Sequence, residues 1–73
     1  MEKNYEERRR MGERIRQLRM EKKMTQEQLA DLTGLKRPHI TRIEAGRYSV
    51  GFDTLQAIAR ALGCTVDMVR REQ

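Results

Sequence analysis

The sequence predicts a compact all-α fold of five helices joined by short loops. Apolar residues recur at helical spacing along most of the chain, the alternating pattern of a strand is absent, and Thr and Gly stand where helices begin and end. The 73 residues make one domain. A chain this short buries only about 60–65% of its unfolded surface, which leaves little packing to spare for an enclosed pocket. Its length therefore favours a module that works through its outer surface.

The first helix is predicted from about residue 6, or earlier, to Lys22. Met11, Ile15 and Leu18 stand at positions i, i+4 and i+7, which places them on one helical face. Residues 1–10 form a charged N-terminal extension, either the start of this helix or a frayed end, and residues 11–73 form the domain proper.

The second helix is predicted over about residues 25–33. Thr25 and Gln28 have the spacing of a capping box, and Gly34 supplies the left-handed residue that commonly ends a helix. The residues expected to face the core are Leu29 and Leu32.

The third helix is predicted over about residues 37–45, with Ile40 and Ile43 inward and Gly46 as its stop. Pro38 is compatible with it because the first turn of a helix has backbone amides without helical partners.

A loop over residues 47–51 is followed by a fourth helix, predicted from about Phe52 to Leu62. Its expected core residues are Phe52, Leu55, Ile58, Ala59 and Leu62. Gly63 ends it, and Thr65 is expected to N-cap a short fifth helix with Asp67 in its first turn.

The charge balance favours a polyanionic partner. Sixteen Lys and Arg against eleven Asp and Glu give a net charge of +5. Residues 1–10 contain no apolar signal-peptide segment, and no apolar run approaches the ~20 residues of a membrane-spanning helix. The sequence therefore predicts a cytoplasmic protein that does not enter membranes.

The residue inventory argues against an enzyme. There is no Ser/His/Asp set, no Gly-rich phosphate loop and no inward cluster of carboxylates. Cys64 and His39 are the only residues of their types, so neither a disulfide within the chain nor a zinc site is expected, and no cofactor is implied. Cys64 is interpreted as a core residue, with a redox switch as the alternative.

Residues 25–46 have the arrangement of a helix-turn-helix. A turn of four residues joins helices two and three, and in this motif the second helix lies in the major groove of DNA. The predicted outward face of helix three carries no carboxylate, which suits contact with phosphates and base edges. Its members are Pro38, Thr41, Arg42 and Ala45, flanked by Arg37 and His39.

Two charged residues fall on inward faces. Arg19 follows Ile15 by four residues on helix one, and Glu44 stands beside Ile43 on the inward side of helix three. Opposite charges aimed at one core are most simply explained as a buried, structural ion pair.

Four segments resemble the phage-repressor and Cro-like family of lambda-repressor-like, XRE-type helix-turn-helix proteins, over about residues 11–69. They are MTQEQLA at 24–30, TGL at 33–35, ITRIEAG at 40–46 and LQAIARALG at 55–63. The resemblance implies a five-helix domain that binds double-stranded operator DNA, usually as a homodimer on a palindrome, and acts as a transcriptional regulator of repressor type. It also implies an Arg–Glu pair at the positions of Arg19 and Glu44.

The resemblance also implies roles for individual residues. Gln26 matches a phosphate-binding position, and residues 47–51 match the loop that follows the DNA backbone. The base-reading set is Arg37, Pro38 and Arg42, with His39 and Thr41 beside them. The predicted phosphate-binding set is Gln26, Arg47, Tyr48, Ser49 and Gly51, together with Lys36, which does not match the family but places a cation beside the backbone.

This chain departs from the family pattern at two positions. Lys36 replaces the usual Ser or Thr N-cap of helix three, at a cost of roughly 1 kcal/mol. Pro38 replaces a polar residue that often reads a base, so it offers only an apolar contact.

Three alternatives stay open at this stage. As an alternative to regulating transcription, a protein with this fold can be an antitoxin or another adaptor that binds a protein partner. Residues 8–10 are either a solvated helix end or an arm that touches DNA. Val66, Met68 and Val69 either close the core or form the contact of a weak homodimer.

Overall fold

A computed structural model describes residues 4–72 of the chain. Residues 1–3 and residue 73 lie outside the described residues, and so does that part of the predicted N-terminal extension. The rest of the extension begins the first helix. Within the described residues the structure has four helices: α1 (Tyr5–Glu21), α2 (Gln26–Thr33), α3 (Arg37–Glu44) and α4 (Phe52–Ala61).

Local chemistry explains the bounds of α2. The Thr25 hydroxyl accepts from the Gln28 amide at 3.0 Å and the Gln28 side chain accepts from the Thr25 amide at 2.8 Å, so the predicted capping box is present. Gly34 ends the helix at φ 75°, a left-handed conformation that glycine adopts without steric cost.

The core lies where α3 packs against both α1 and α2, and α4 packs against α2. Burying a large aliphatic side chain contributes about 1.5–3 kcal/mol to the free energy of unfolding, so a few such side chains supply much of the stability of a small domain. The buried aliphatic side chains are Ile15, Leu29, Ile40, Ile43, Ile58 and Leu62.

Two residues predicted to be buried are exposed. Leu32 is 63% exposed because the side of α2 that meets the core carries Leu29, Ala30 and Thr33, at positions i, i+1 and i+4, and Leu32 lies outside that stripe. Phe52 is also 63% exposed, since it is the first residue of α4 and the core-facing stripe begins one turn later, at Leu55.

The predicted fifth helix is absent from the described residues, so the expectation of five helices is wrong there. Residues 64–72 are not helical. Asp67 Oδ1 accepts from the adjacent Met68 amide at 2.8 Å, whereas Met68 and Val69 stay 96% and 88% exposed. A helix this short forms only when packing offsets the cost of its first turn, and no described element covers these side chains.

Candidate nucleic-acid interface

Helix α3 presents two contrasting faces. Ile40, Ile43 and Glu44 are buried against α1 and α2, whereas the other side of the helix is exposed. The exposed residues are Arg37, Pro38, Thr41, Arg42 and Ala45. No carboxylate lies on this exposed face, so α3 offers a convex, cationic surface.

The start of α3 lacks a side-chain cap. Lys36 occupies the N-cap position with φ −86° and ψ 147° and makes no capping hydrogen bond. Pro38 follows two residues later, in the first turn. The amides at this helix start are therefore not satisfied by a side chain of Lys36, and the lysine adds a positive charge beside them.

Arg19 and Glu44 meet in a bidentate ion pair. Arg19 Nε donates to Glu44 Oε2 at 2.7 Å, and Arg19 Nη2 donates to Glu44 Oε1 at 3.0 Å. The two side chains are only 10% and 3% exposed. The hydrogen bond to Glu44 raises the pKa of the Arg19 guanidinium. The remaining nitrogen, Nη1, donates to the carbonyl of Met24 at 2.8 Å, so this pair ties α1, α3 and the chain before α2 together.

Gln26 extends this network to the surface. Its Nε2 donates to Glu44 Oε1 at 3.1 Å, and its Oε1 accepts from the Thr41 hydroxyl at 2.9 Å. The Thr41 hydroxyl also lies 3.1 Å from the carbonyl of Arg37. Gln26 and Thr41, which were both predicted to contact DNA, are thus hydrogen-bonded within the protein. Their hydrogen bond joins the first turn of α2 to the exposed face of α3.

His39 is turned towards the loop. Its ring packs edge-on against Tyr48, with the centroids 4.5 Å apart and the planes at 87°. Its Nε2 atom is buried and has no hydrogen-bond partner among the described residues. In this conformation the imidazole links α3 to the loop, and the long side chains on the exposed face are Arg37 and Arg42.

The loop over residues 47–51 continues the same surface. The Arg47 amide donates to the Arg42 carbonyl at 2.9 Å, which starts the loop directly from the last turn of α3. Arg47, Tyr48, Ser49 and Gly51 are exposed, and Val50 packs against the core. The loop therefore exposes its polar and cationic side chains, and Val50 fixes it to the core.

Sequence reasoning missed Gly12, where α1 and α3 cross. A Cβ placed on Gly12 would lie 2.5 Å from the carbonyl oxygen of Ile43 and 2.6 Å from that of Glu44. Only a residue without a side chain permits this approach. The signal was available, because Gly12 lies three residues before Ile15 on the inward face of α1.

Two further findings concern the described residues alone. None of their helices is long and apolar enough to cross a membrane. They also contain no group of three or more His, Cys, Asp or Glu residues placed to hold a metal ion.

Comparisons with known proteins agree with this geometry. The profile of the Helix-turn-helix family matches residues 15–69. The chain is 41% identical over 63 residues to the immunity repressor protein of Bacillus phage phi105, covering 86% of this chain and 44% of that protein. The chain thus spans less than half the length of that repressor.

Two other relatives are covered more fully. An HTH-type transcriptional regulator of Methanothermobacter thermautotrophicus is 47% identical over 49 residues, which are 67% of this chain and 71% of that protein. The crystal structure of the restriction-modification controller protein C.AhdI from Aeromonas hydrophila superposes with a TM-score of 0.80 at 35% identity. That match covers 82% of this chain and 91% of the controller protein.

The matched span includes the whole of α2, α3 and α4, and the fold agrees with that of a solved relative. This is a family of DNA-binding regulators and not a family of enzymes. The chain belongs to the XRE-type helix-turn-helix family.

Proposed function

We propose that this chain binds double-stranded DNA in a sequence-specific manner and acts as a transcriptional regulator of repressor type. The observation that carries the proposal is the exposed face of α3, which has two arginines and no carboxylate and is continued by the cationic loop after it. Family membership and the similarity to a phage repressor support the same function.

In this proposal α3 lies in the major groove. Arg37 and Arg42 contact base edges with their guanidinium groups, and Pro38 offers an apolar contact. Thr41 and His39 take part less directly, because the Thr41 hydroxyl is bonded to Gln26 and the His39 ring packs on Tyr48.

The phosphate contacts lie on both sides of α3. The set is Lys36, Arg47, Tyr48, Ser49 and Gly51, together with the backbone amide of Gln26 at the first turn of α2. The side-chain amide of Gln26 is engaged with Glu44 and Thr41, so its backbone N–H is the group left to approach a phosphate.

We further propose that two copies bind a palindromic operator, with half-sites about one helical turn apart. The exposed apolar side chains of Val66, Met68 and Val69 are the surface proposed to join the two copies. One domain places a single helix of eight residues against DNA, and pairing doubles that contact.

A titration of duplex DNA at rising salt tests the function. The logarithm of the binding constant should fall linearly with the logarithm of salt concentration, by about 0.9 per phosphate contacted. The same titration, read by sedimentation, should give two chains per operator. A binding constant that does not change with salt contradicts DNA binding, and one chain per operator contradicts the dimer.

Arg42 and Arg47 should respond differently to removal. Arg42→Ala is expected to weaken operator binding by roughly 1–3 kcal/mol, with the loss concentrated at one base pair per half-site, because arginine reads guanine through O6 and N7. Arg47→Ala is expected to weaken all sequences about equally, since phosphates carry no sequence information. The measurement compares both variants on operator, single-base-changed operators and random duplex. If Arg42→Ala weakened binding to operator and to random duplex equally, Arg42 would be a phosphate contact, and Arg37 would be the residue that reads the bases.

A further inference from the structure

The first turns of α1 lie outside the matched family profile, which begins at residue 15, whereas α1 begins at Tyr5. They pack beside the turn that follows α3. A Cβ placed on Gly46 would lie 2.7 Å from Cα of Arg9 and 3.0 Å from its backbone nitrogen. Arg8 lines one groove together with Tyr48, Ser49 and Val50 of the loop. The start of α1 is therefore a neighbour of the proposed phosphate-binding loop.

Two arginines on this part of α1 already have a side-chain partner. Arg10 donates to Glu7, a carboxylate that lines the same groove as Arg8, at 2.6 Å, and Arg14 donates to Gln17 at 2.8 Å. Arg9 lies against Gly46 of the turn, and Arg8 and Gly12 line the groove beside the loop. The helical period of 3.6 residues brings these three positions to one side of α1. The cations next to the loop are thus Arg8 and Arg9.

Neither of these arginines has a strong partner among the described residues. The Arg8 guanidinium lies over the Tyr5 ring, 5.0 Å from its centroid, which orients the charge without neutralising it. Arg9 Nη2 lies 3.9 Å from Glu6 Oε1, and these two side chains are 66% and 88% exposed. An exposed contact of this length contributes little, so both cations are available to an anion.

We infer that Arg8 and Arg9 form a second phosphate-binding surface, which contacts the DNA backbone beyond the base pairs that α3 reads. This inference rests on the proposed function. The partner is assigned by continuity, because the surface adjoins the loop of Arg47, Tyr48 and Ser49, and by charge, because guanidinium groups bind phosphate oxygens in bidentate fashion.

The test is a matched pair of double variants. R8Q/R9Q removes the two proposed contacts, and R14Q/R60Q removes the same formal charge from two exposed arginines, one on the opposite side of α1 and one at the end of α4. Each is titrated with duplex DNA over a range of salt, and circular dichroism checks that each melts as a folded protein. Glutamine keeps part of the aliphatic stem of Arg8, which limits any loss of packing.

The expected result is a change in slope. For R8Q/R9Q the magnitude of the salt slope should fall by about 1.8 for each bound chain, because each lost phosphate contact lowers it by about 0.9. The fall per bound chain should be the same on operator and random duplex. The slope for R14Q/R60Q should match the parent. Extending a short duplex at its ends should strengthen binding of the parent and not of R8Q/R9Q.

Three outcomes separate the possibilities. If the parent binds no duplex, the proposed function fails. If the parent binds and R8Q/R9Q keeps its slope, this inference alone fails, and the two arginines serve another partner such as an acidic protein segment. Equal changes in both double variants also overturn it, since they reflect net charge and not a site.

Discussion

Glu44→Ala is expected to lower the free energy of unfolding by about 3–5 kcal/mol, a large part of what a domain of this size has. Arg19, whose side chain is only 10% exposed in the parent, would lose the two hydrogen bonds that Glu44 accepts from it. It also frees Gln26 Nε2, so the contact between α2 and α3 loosens. Thermal and urea unfolding followed by circular dichroism measure the effect.

Arg42→Ala is the control, because Arg42 lies two positions away on the exposed side of α3. It should change the melting temperature little. A second comparison separates a stranded charge from lost packing. The double variant Arg19→Met/Glu44→Leu removes both charges and should be clearly more stable than Glu44→Ala. If Glu44→Ala melted like the parent, the ion pair would not support the fold.

Gly12→Val is expected to destabilise the domain by about 3 kcal/mol, at the upper end of what overpacking causes. The new Cβ would overlap the carbonyl oxygens of Ile43 and Glu44, at 2.5 and 2.6 Å. Because those atoms belong to the backbone of α3, the helix itself must move. DNA binding should weaken as well, since α3 carries the proposed base-reading residues.

Gln17→Val is the matched control for this second prediction. It places the same β-branched residue in the same helix at an exposed position. It therefore reports a loss of helix propensity of a few tenths of a kcal/mol together with the loss of the exposed hydrogen bond from Arg14. Denaturant unfolding of the two variants gives the comparison. Equal stabilities would show that the crossing of α1 and α3 tolerates a side chain at Gly12.

The helices were largely predictable because the signals that start and stop them are local. Thr25 and Gln28 satisfy each other within three residues, and Gly34 ends α2 through its own backbone conformation. The inward positions of Arg19 and Glu44 also followed from spacing on their own helices.

Burial at the edges of helices was less predictable. Leu32 and Phe52 belong to helices with several apolar residues, and spacing alone does not say which side meets a neighbour. The prediction of a fifth helix was wrong for a related reason. Thr65 and Asp67 are suitable residues for a helix start, but a short segment needs a surface to pack on, and Met68 and Val69 stay almost fully exposed.

The sequence by itself determined four of the predicted helices, the cationic outward face of α3 and the family, because each depends on residues close together in the chain. The tertiary structure decided three other features. It placed Gly12 under the backbone of α3, it engaged the Gln26 amide between Glu44 and Thr41, and it turned His39 onto Tyr48. Each of these depends on the distance between side chains or backbone groups of separate elements. Helical periodicity gives the direction in which a side chain leaves its own helix, and only the packing of the helices says what it meets.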